Sequence, residues 1–431
     1  MLNYKAMHPG EPHQPSDRLN AILPEEAWLL LWVRPPGSRA GATVLAAAAK
    51  RVRSWRRVLV VADENHITPL LASNLRGVSR DEVGLPAWFV QELDQRRYAC
   101  LARRAQVAFH LAPLLEALHQ GRVPTMLLKG ALLAETVYAD PGARSFFDVD
   151  LLVAPEDVPT AHQVLERRGY AAVRPVDFSC PPRTGPYLNS VLYGGRAPGL
   201  PLLHLHWHLV NGSSPSDDYV FRIRMAELWA EAQNTHLWDA PVLAPEPHHM
   251  LIQQAEHAYR EGFSKLSLLV DVAWVAQANR SHAFWERTLQ VAQDWGLGTP
   301  CYSSLFLCSG LGLVGVPPHV LTRLRPAEPQ RLAARILRRT LERPRTQPWG
   351  KLLYLANRQG LAGKVRFAFR ALCPPLAELE AIYGLAPGSL TVCGYLRWVA
   401  HRLVVAARKG WAATVRLCRP GTPAGKGVST E

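Results

Sequence analysis

No run of eighteen apolar residues occurs anywhere in the 431-residue chain, so no transmembrane helix is expected. The first 23 residues are polar with several prolines and lack the apolar stretch of a signal peptide; residues 1–24 read as a loose leader. No Cys-x-x-Cys pair is present, and the seven cysteines are scattered and odd in number. That pattern argues against a zinc ribbon or a disulfide scaffold and for reduced thiols in a cytoplasmic protein. There is no internal repeat, and low complexity is confined to the tail from Pro420 to Glu431. What is present is ordinary core-forming composition, 48% hydrophobic and 19% charged, in a chain long enough for two or three domains.

The net charge of +14 is unevenly spread. Residues 319–431 hold 20 of the 49 Lys and Arg but 5 of the 35 Asp and Glu, leaving 29 against 30 before them. Basicity therefore belongs to the last quarter, which reads as helical with a disordered tail. It suits solvated arginine faces, an anionic partner such as a nucleic acid or acidic peptide, or a membrane surface. Val392 to Arg408 mixes apolar and arginine positions as an amphipathic helix does, and Arg331 to Arg339 alternates in the same way. Upstream, residues 25–105 read as helices joined by short loops, and 213–318 as a second helical segment. Between them, at 106–212, the order is helix, strand, Lys-Gly turn, helix, strand, helix, strand, loop, strand. That is a small α+β core.

Two aspartates carry the chemistry of this core. Asp148 and Asp150 lie two apart in the strand-like run from Phe146 to Val153, so both side chains point to one face. Like charges that close repel, more so when half-buried, and a divalent cation such as Mg²⁺ carrying nucleotide phosphates relieves them. A solvated sheet edge would also accommodate such a pair. One helix earlier stands Lys129-Gly130-Ala131 at a strand-to-helix turn. A glycine there lets backbone N–H groups approach a phosphate at the helix N-terminus, and Lys129 adds a point charge. Arg144 is placed to reach the same triphosphate, or to pair with Asp148.

The stretch Leu127-Leu128-Lys129-Gly130-Ala131, Tyr138, Arg144, Asp148-Val149-Asp150-Leu151-Leu152-Val153 and Gly169-Tyr170 resembles the uncharacterised bacterial nucleotidyltransferase family. That family sits in the DNA polymerase β-like nucleotidyltransferase superfamily. The resemblance runs on through Leu205-His206-Trp207, the helix of His257 and Leu269-Val270-Asp271-Val272-Ala273, covering roughly residues 26–320. It implies a polymerase β-like core flanked by helices, Mg²⁺ (with Mn²⁺ as substitute) on Asp148 and Asp150, and an NTP at Lys129, Gly130, Ala131 and Arg144. The implied reaction moves a nucleoside monophosphate to an acceptor, whether small molecule, peptide or other intermediate, which the sequence does not name. Two departures stand out. The turn lacks the hydroxyl that the superfamily pattern offers the phosphate, and His204 stands where relatives carry a third carboxylate. Imidazole is a poor ligand for Mg²⁺. A second reading follows: an impaired nucleotidyltransferase fold that binds a nucleic acid or a biosynthetic partner.

Other candidates are weaker. Asp271 could act as general base on the acceptor or pair with a cation such as Lys265, and His257 and Glu256 share that status. His204, His206 and His208 alternate, yet same-face neighbours along a strand stand roughly 7 Å apart, too splayed for one Zn²⁺. His206 reads instead as a packed or hydrogen-bonded support for Trp207. Gly310 to Gly315 matches G-x-G-x-x-G without a surrounding β-α-β unit, so its glycines are expected to end a helix.

Overall fold

The computed structural model describes residues 22–418 except 77, 186–187, 212–217, 327–332, 334, 338–339, 341–349, 359, 384 and 386–387. The leader to residue 21 and the tail from 419 lie outside the described residues, as does most of Arg331 to Arg339; within that run Ala333, Ile336 and Leu337 are buried. The chain divides into two compact units, one ending at Asn357 and one beginning at Arg358.

A seven-stranded mixed sheet organises the first unit, in the order β3-β4-β5-β2-β1-β7-β6. The strands are β1 (Met126–Leu128), β2 (Asp148–Leu152), β3 (Tyr170–Ala172), β4 (Ser190–Gly195), β5 (Leu202–His206), β6 (Gln233–Leu237) and β7 (Ala240–Ala244). β2 pairs antiparallel with β1 and parallel with β5, and β1 pairs parallel with β7. Leu127, Leu128, Val149, Leu151 and Leu152 are wholly inaccessible, so the centre of the sheet is covered on both faces. That is why β1 and most of β2 are continuous apolar runs and only Asp148 and Asp150 break the pattern.

Helices cover the sheet and extend it. The 34-residue helix Ala87–Gln120 packs on β7 and on helix Val158–Arg167. The latter ends at Gly169, whose φ of +84° is the left-handed turn that glycine adopts without strain. Short helices from Pro24–Trp32 to Arg80–Val83 form the N-terminal layer, with Ser54 capping Trp55–Glu64 by accepting from the Arg57 amide at 3.2 Å. On the other side helix Pro247–Arg260 is the hub. It packs against Leu266–Ala278, His282–Asp294, Gly298–Gly310, Gly350–Ala356 and, toward the aspartates, Lys129–Thr136.

One element departs from the sequence reading. The hairpin β6–β7 falls within 213–318, expected to be helical, and adds two strands to the sheet. Its two-residue turn is Trp238-Asp239, with φ of +48° and +66°, the geometry usually signalled by Asn-Gly. Gly310 does close a helix, and Gly312 follows in the left-handed region, so the G-x-G-x-x-G match is a helix end.

The second unit contains helices Gly360–Leu372, Leu376–Tyr383 and Val392–Cys418. Tyr395 Oη donates to the Pro374 carbonyl at 2.9 Å and Trp398 Nε1 to Tyr383 Oη at 2.9 Å, tying the last helix to the preceding segment. Val392, Leu396, Leu403 and Val404 of that helix are exposed. Among the described residues no helix is long and apolar enough to cross a membrane, and Cys100, Cys180, Cys301, Cys308, Cys373 and Cys393 are free.

Candidate active site

β1 ends at Leu128 and the chain turns directly into helix Lys129–Thr136. Lys129 makes that turn with a φ of +51°, a strained value for a residue with a side chain. The turn aims its ammonium at β2, where Nζ lies 2.6 Å from Asp150 Oδ1. Gly130 follows because nothing larger fits well: an added Cβ would stand 3.0 Å from Phe146 Cβ. Ala131 is buried under the same turn. With no nucleotide present, Lys129 rests in an ion pair with the second aspartate.

β5 supplies the other neighbours of Asp150. Parallel pairing puts Asp150 opposite His204, and the inaccessible His206 reaches across to bring Nε2 within 2.7 Å of Asp150 Oδ1. His204 bonds Ser190 Oγ through Nε2 at 2.7 Å, with Nδ1 3.7 Å from the same aspartate oxygen. The two imidazoles lean together, ring centres 4.4 Å apart, closer than strand spacing alone suggests. His208 lies past the end of β5 and bonds backbone at Val210, so the three histidines do not converge. Asp150, His204 and His206 do, with one ligand atom from each lying within 4.8 Å of the others.

Electrostatics separate the two aspartates. Burial alone would raise the Asp150 carboxyl, but the Lys129 ammonium and the His206 hydrogen bond outweigh it and hold it well below the usual range. Burial and the Asp150 charge push Asp148 up, with Lys129 opposing. Burial drives His206 down to about 4 and His204 to about 2, so both are neutral at pH 7. His206 thus contributes a hydrogen bond rather than a charge; donation from Nε2 leaves Nδ1 as acceptor, a buried atom without a protein partner among the described residues. His204 is accordingly too weakly basic to serve as a base near neutrality.

Arg144 and Asp271 find each other across 127 positions. Arg144 Nε and Nη2 donate to Asp271 Oδ1 and Oδ2 at 2.9 and 2.8 Å, and Tyr138 Oη donates to Oδ1 at 2.7 Å. Asp271 is 2% exposed, so this bidentate pair fastens helix Leu266–Ala278 to the segment entering β2. Both expected pairings, Arg144 with Asp148 and Asp271 with Lys265, give way to this one. The structure also joins Arg260, which sequence reasoning left out, to the weaker candidates Glu256 and His257. Arg260, near enough to lower His204 and His206, bonds His257 Nδ1 at 2.8 Å and lies 3.5 Å from Glu256 Oε1. Glu256 accepts from Tyr219 and Tyr354 hydroxyls at 3.0 and 3.3 Å, and burial raises its carboxyl. Helical spacing of Glu256, His257 and Arg260 after Pro247 was the available signal.

The arrangement fits a hard divalent cation only in part. Asp148, whose charge is poorly compensated, and the ionised Asp150 are suitable oxygen donors, and none of the three contacts to Asp150 uses Oδ2. The neighbouring imidazoles add nothing for Mg²⁺ and suit later metals such as Fe²⁺ or Zn²⁺.

The curated proteins contain no match to the chain. Among solved structures, the crystal structure of an antigenic nucleotidyltransferase-like protein from Paracoccidioides brasiliensis overlaps 51% of this chain and 96% of its own, at 16% identity and a TM-score of 0.29. At that TM-score the overlay places no residue of the site. Residues 52–311, more than half of the chain, match the family described as uncharacterised nucleotidyltransferase, and the protein belongs to that family.

Proposed function

We propose that the protein transfers a nucleoside monophosphate from an NTP to an acceptor hydroxyl, releasing pyrophosphate. The observation that carries this reading is the pair Asp148 and Asp150 set beside the Lys129-Gly130 turn in a nucleotidyltransferase-family chain. Asp148 and Asp150 would hold a divalent cation, Mg²⁺ or Mn²⁺, which supplies charge neutralisation on the transferring phosphoryl group. Lys129 has three N–H donors and spends one on Asp150, so it can meet a phosphate oxygen without leaving its partner. The backbone of Gly130 and Ala131 at the helix N-terminus favours the same negative charge. His206 and Lys129 keep Asp150 ionised. Arg144 and Asp271 hold the approach to β2 rigid, and we assign them a positioning role. In the reaction the acceptor oxygen bonds the α-phosphorus and its proton passes to solvent, while the bond to the bridging oxygen breaks and its electron pair departs with pyrophosphate.

One observation favours a second reading, a nucleotide-fold binding module without turnover. His204, neutral and committed to Ser190, offers neither a third carboxylate nor an effective base. A thermal-shift series with each of the four NTPs, with and without Mg²⁺ or Mn²⁺, separates the two when paired with a pyrophosphate assay. Metal-dependent stabilisation with pyrophosphate release supports the transferase. Indifference to all four NTPs, with retention on heparin, supports the binding module.

A further inference from the structure

A second group of metal-ligating side chains lies away from the aspartates. Glu231 caps the C-terminal end of helix Met225–Ala230, and His248 and His249 are the second and third residues of helix Pro247–Arg260. One ligand atom from each lies within 4.8 Å of the others. His248 Nε2 stands 3.2 Å from Glu231 Oε2, but without the alignment of a hydrogen bond. His249 is 0% exposed, and among the described residues neither of its ring nitrogens has a hydrogen-bond partner.

That is an unusual state for a buried imidazole. The neutral ring has one donor and one acceptor, and each polar group buried without a partner costs about 1–3 kcal/mol. Stacking on Trp295, with ring centres 4.9 Å apart and planes at 5°, fixes the ring's orientation without satisfying either nitrogen. The imidazole of His248 lies 4.0 Å from it, centre to centre. Glu231 is oriented from outside the group: Arg287 bonds its Oε1 and also Glu227 Oε1, leaving Oε2 on the side of His248. Glu231, Glu246 and Glu227 all act on His248 with Arg287 opposing them, while Arg224 pairs with Glu227 from the outside.

We propose that Glu231, His248 and His249 bind a transition-metal dication, Zn²⁺ by the character of the donors, at a site distinct from Asp148 and Asp150. Two imidazoles and a carboxylate are a common protein ligand set for Zn²⁺, with water completing four-coordination. The ion satisfies a buried nitrogen that packing alone strands, and Arg287 acts as the outer partner that holds the carboxylate. The site joins the end of one helix to the start of the next across the β6–β7 hairpin, so its effect is to fasten the edge of the sheet to helix Pro247–Arg260. Nothing in it requires turnover of a nucleotide.

Metal analysis of the full chain tests this. Protein stripped with a chelator, reloaded with Zn²⁺ and desalted is compared with Asp150→Asn, His249→Gln and Glu231→Gln. Asp150→Asn removes the other cluster of nitrogen and oxygen donors from the comparison. The expected result is one zinc per chain that Asp150→Asn keeps and both other variants lose, with affinity at least about tenfold weaker in Glu231→Gln. Co²⁺ in place of Zn²⁺ should give a visible absorption band that the same two variants abolish. Should His249→Gln fail to fold, the partly exposed Glu231 carries the test alone. No retained zinc in the parent protein, or equal zinc in the parent, Glu231→Gln and His249→Gln, would overturn the proposal.

Discussion

Asp148 and Asp150 are neighbours in sequence but opposites in physics. A repelling pair suggests that replacing either with asparagine relieves the fold. The environment shows that only Asp148 behaves so, because burial already disfavours its charge. Asp148→Asn should therefore leave thermal stability unchanged or raised while abolishing metal-dependent NTP binding. Asp150→Asn should destabilise by about 3 kcal/mol, because it strands the Lys129 ammonium, 14% exposed, beside the buried His206. Urea titrations of the two variants check the contrast; equal stabilities would contradict it. Gly130→Ala should cost about 1 kcal/mol and weaken NTP binding, since its Cβ meets Phe146 Cβ at 3.0 Å. Undiminished NTP affinity in that variant would remove the turn from the site. The two-residue alternation made the aspartates legible in the sequence. The contacts that set their charges were not. Lys129, His206 and Arg144 reach partners 21, 56 and 127 positions away, and such pairings depend on strand order and register rather than on local pattern.

β5 shows how an element acquires a pH dependence. Burial holds His204 at about 2 and His206 at about 4, and His208 just beyond the strand at about 4, while the unfolded residues titrate near 6.5. Between those limits the unfolded chain binds more protons, so stability must fall as pH drops below about 6.5. The depressed Asp150 acts in the same direction at lower pH. Asp148, raised, acts against it: its contribution is present when protonated and lost as pH rises through its folded value. Denaturation midpoints measured with chelator from pH 7.5 to 4.5 should decline steadily toward acid, and His206→Asn should flatten the decline. A midpoint independent of pH would mean that these imidazoles are solvated. The α+β alternation and most helices of the first unit are legible because apolar periodicity is a local signal. The β6–β7 hairpin is not, because Trp238-Asp239 takes left-handed values that neither residue advertises.

At the scale of the whole molecule the first compact unit runs to Asn357, and its last helix is packed on its core. Leu353 is wholly inaccessible and accepts from Tyr259 Oη at 3.3 Å, while Tyr354 shares Glu256 with Tyr219. A chain truncated after Val316 loses these contacts and should aggregate or unfold well below the parent. Truncation after Asn357 should give a soluble protein that retains metal-dependent NTP binding. We propose that any anionic partner binds the basic region; in that case the shorter protein, which keeps nine of the region's 20 Lys and Arg, holds heparin or RNA less tightly and with a shallower salt dependence, because fewer neutralised phosphates release counterions. Good folding of the Val316 truncation would contradict the packing role of helix Gly350–Ala356.

The central claim is that Asp148 and Asp150 hold a divalent cation together with an NTP. Mn²⁺ binding followed by electron paramagnetic resonance, with each of the four NTPs, measures this without knowledge of the acceptor. The account predicts Mn²⁺ uptake that depends on at least one NTP in the parent protein and disappears in Asp148→Asn, which remains folded. Uptake by Asp148→Asn equal to the parent's, or no NTP-dependent uptake by the parent, would contradict it.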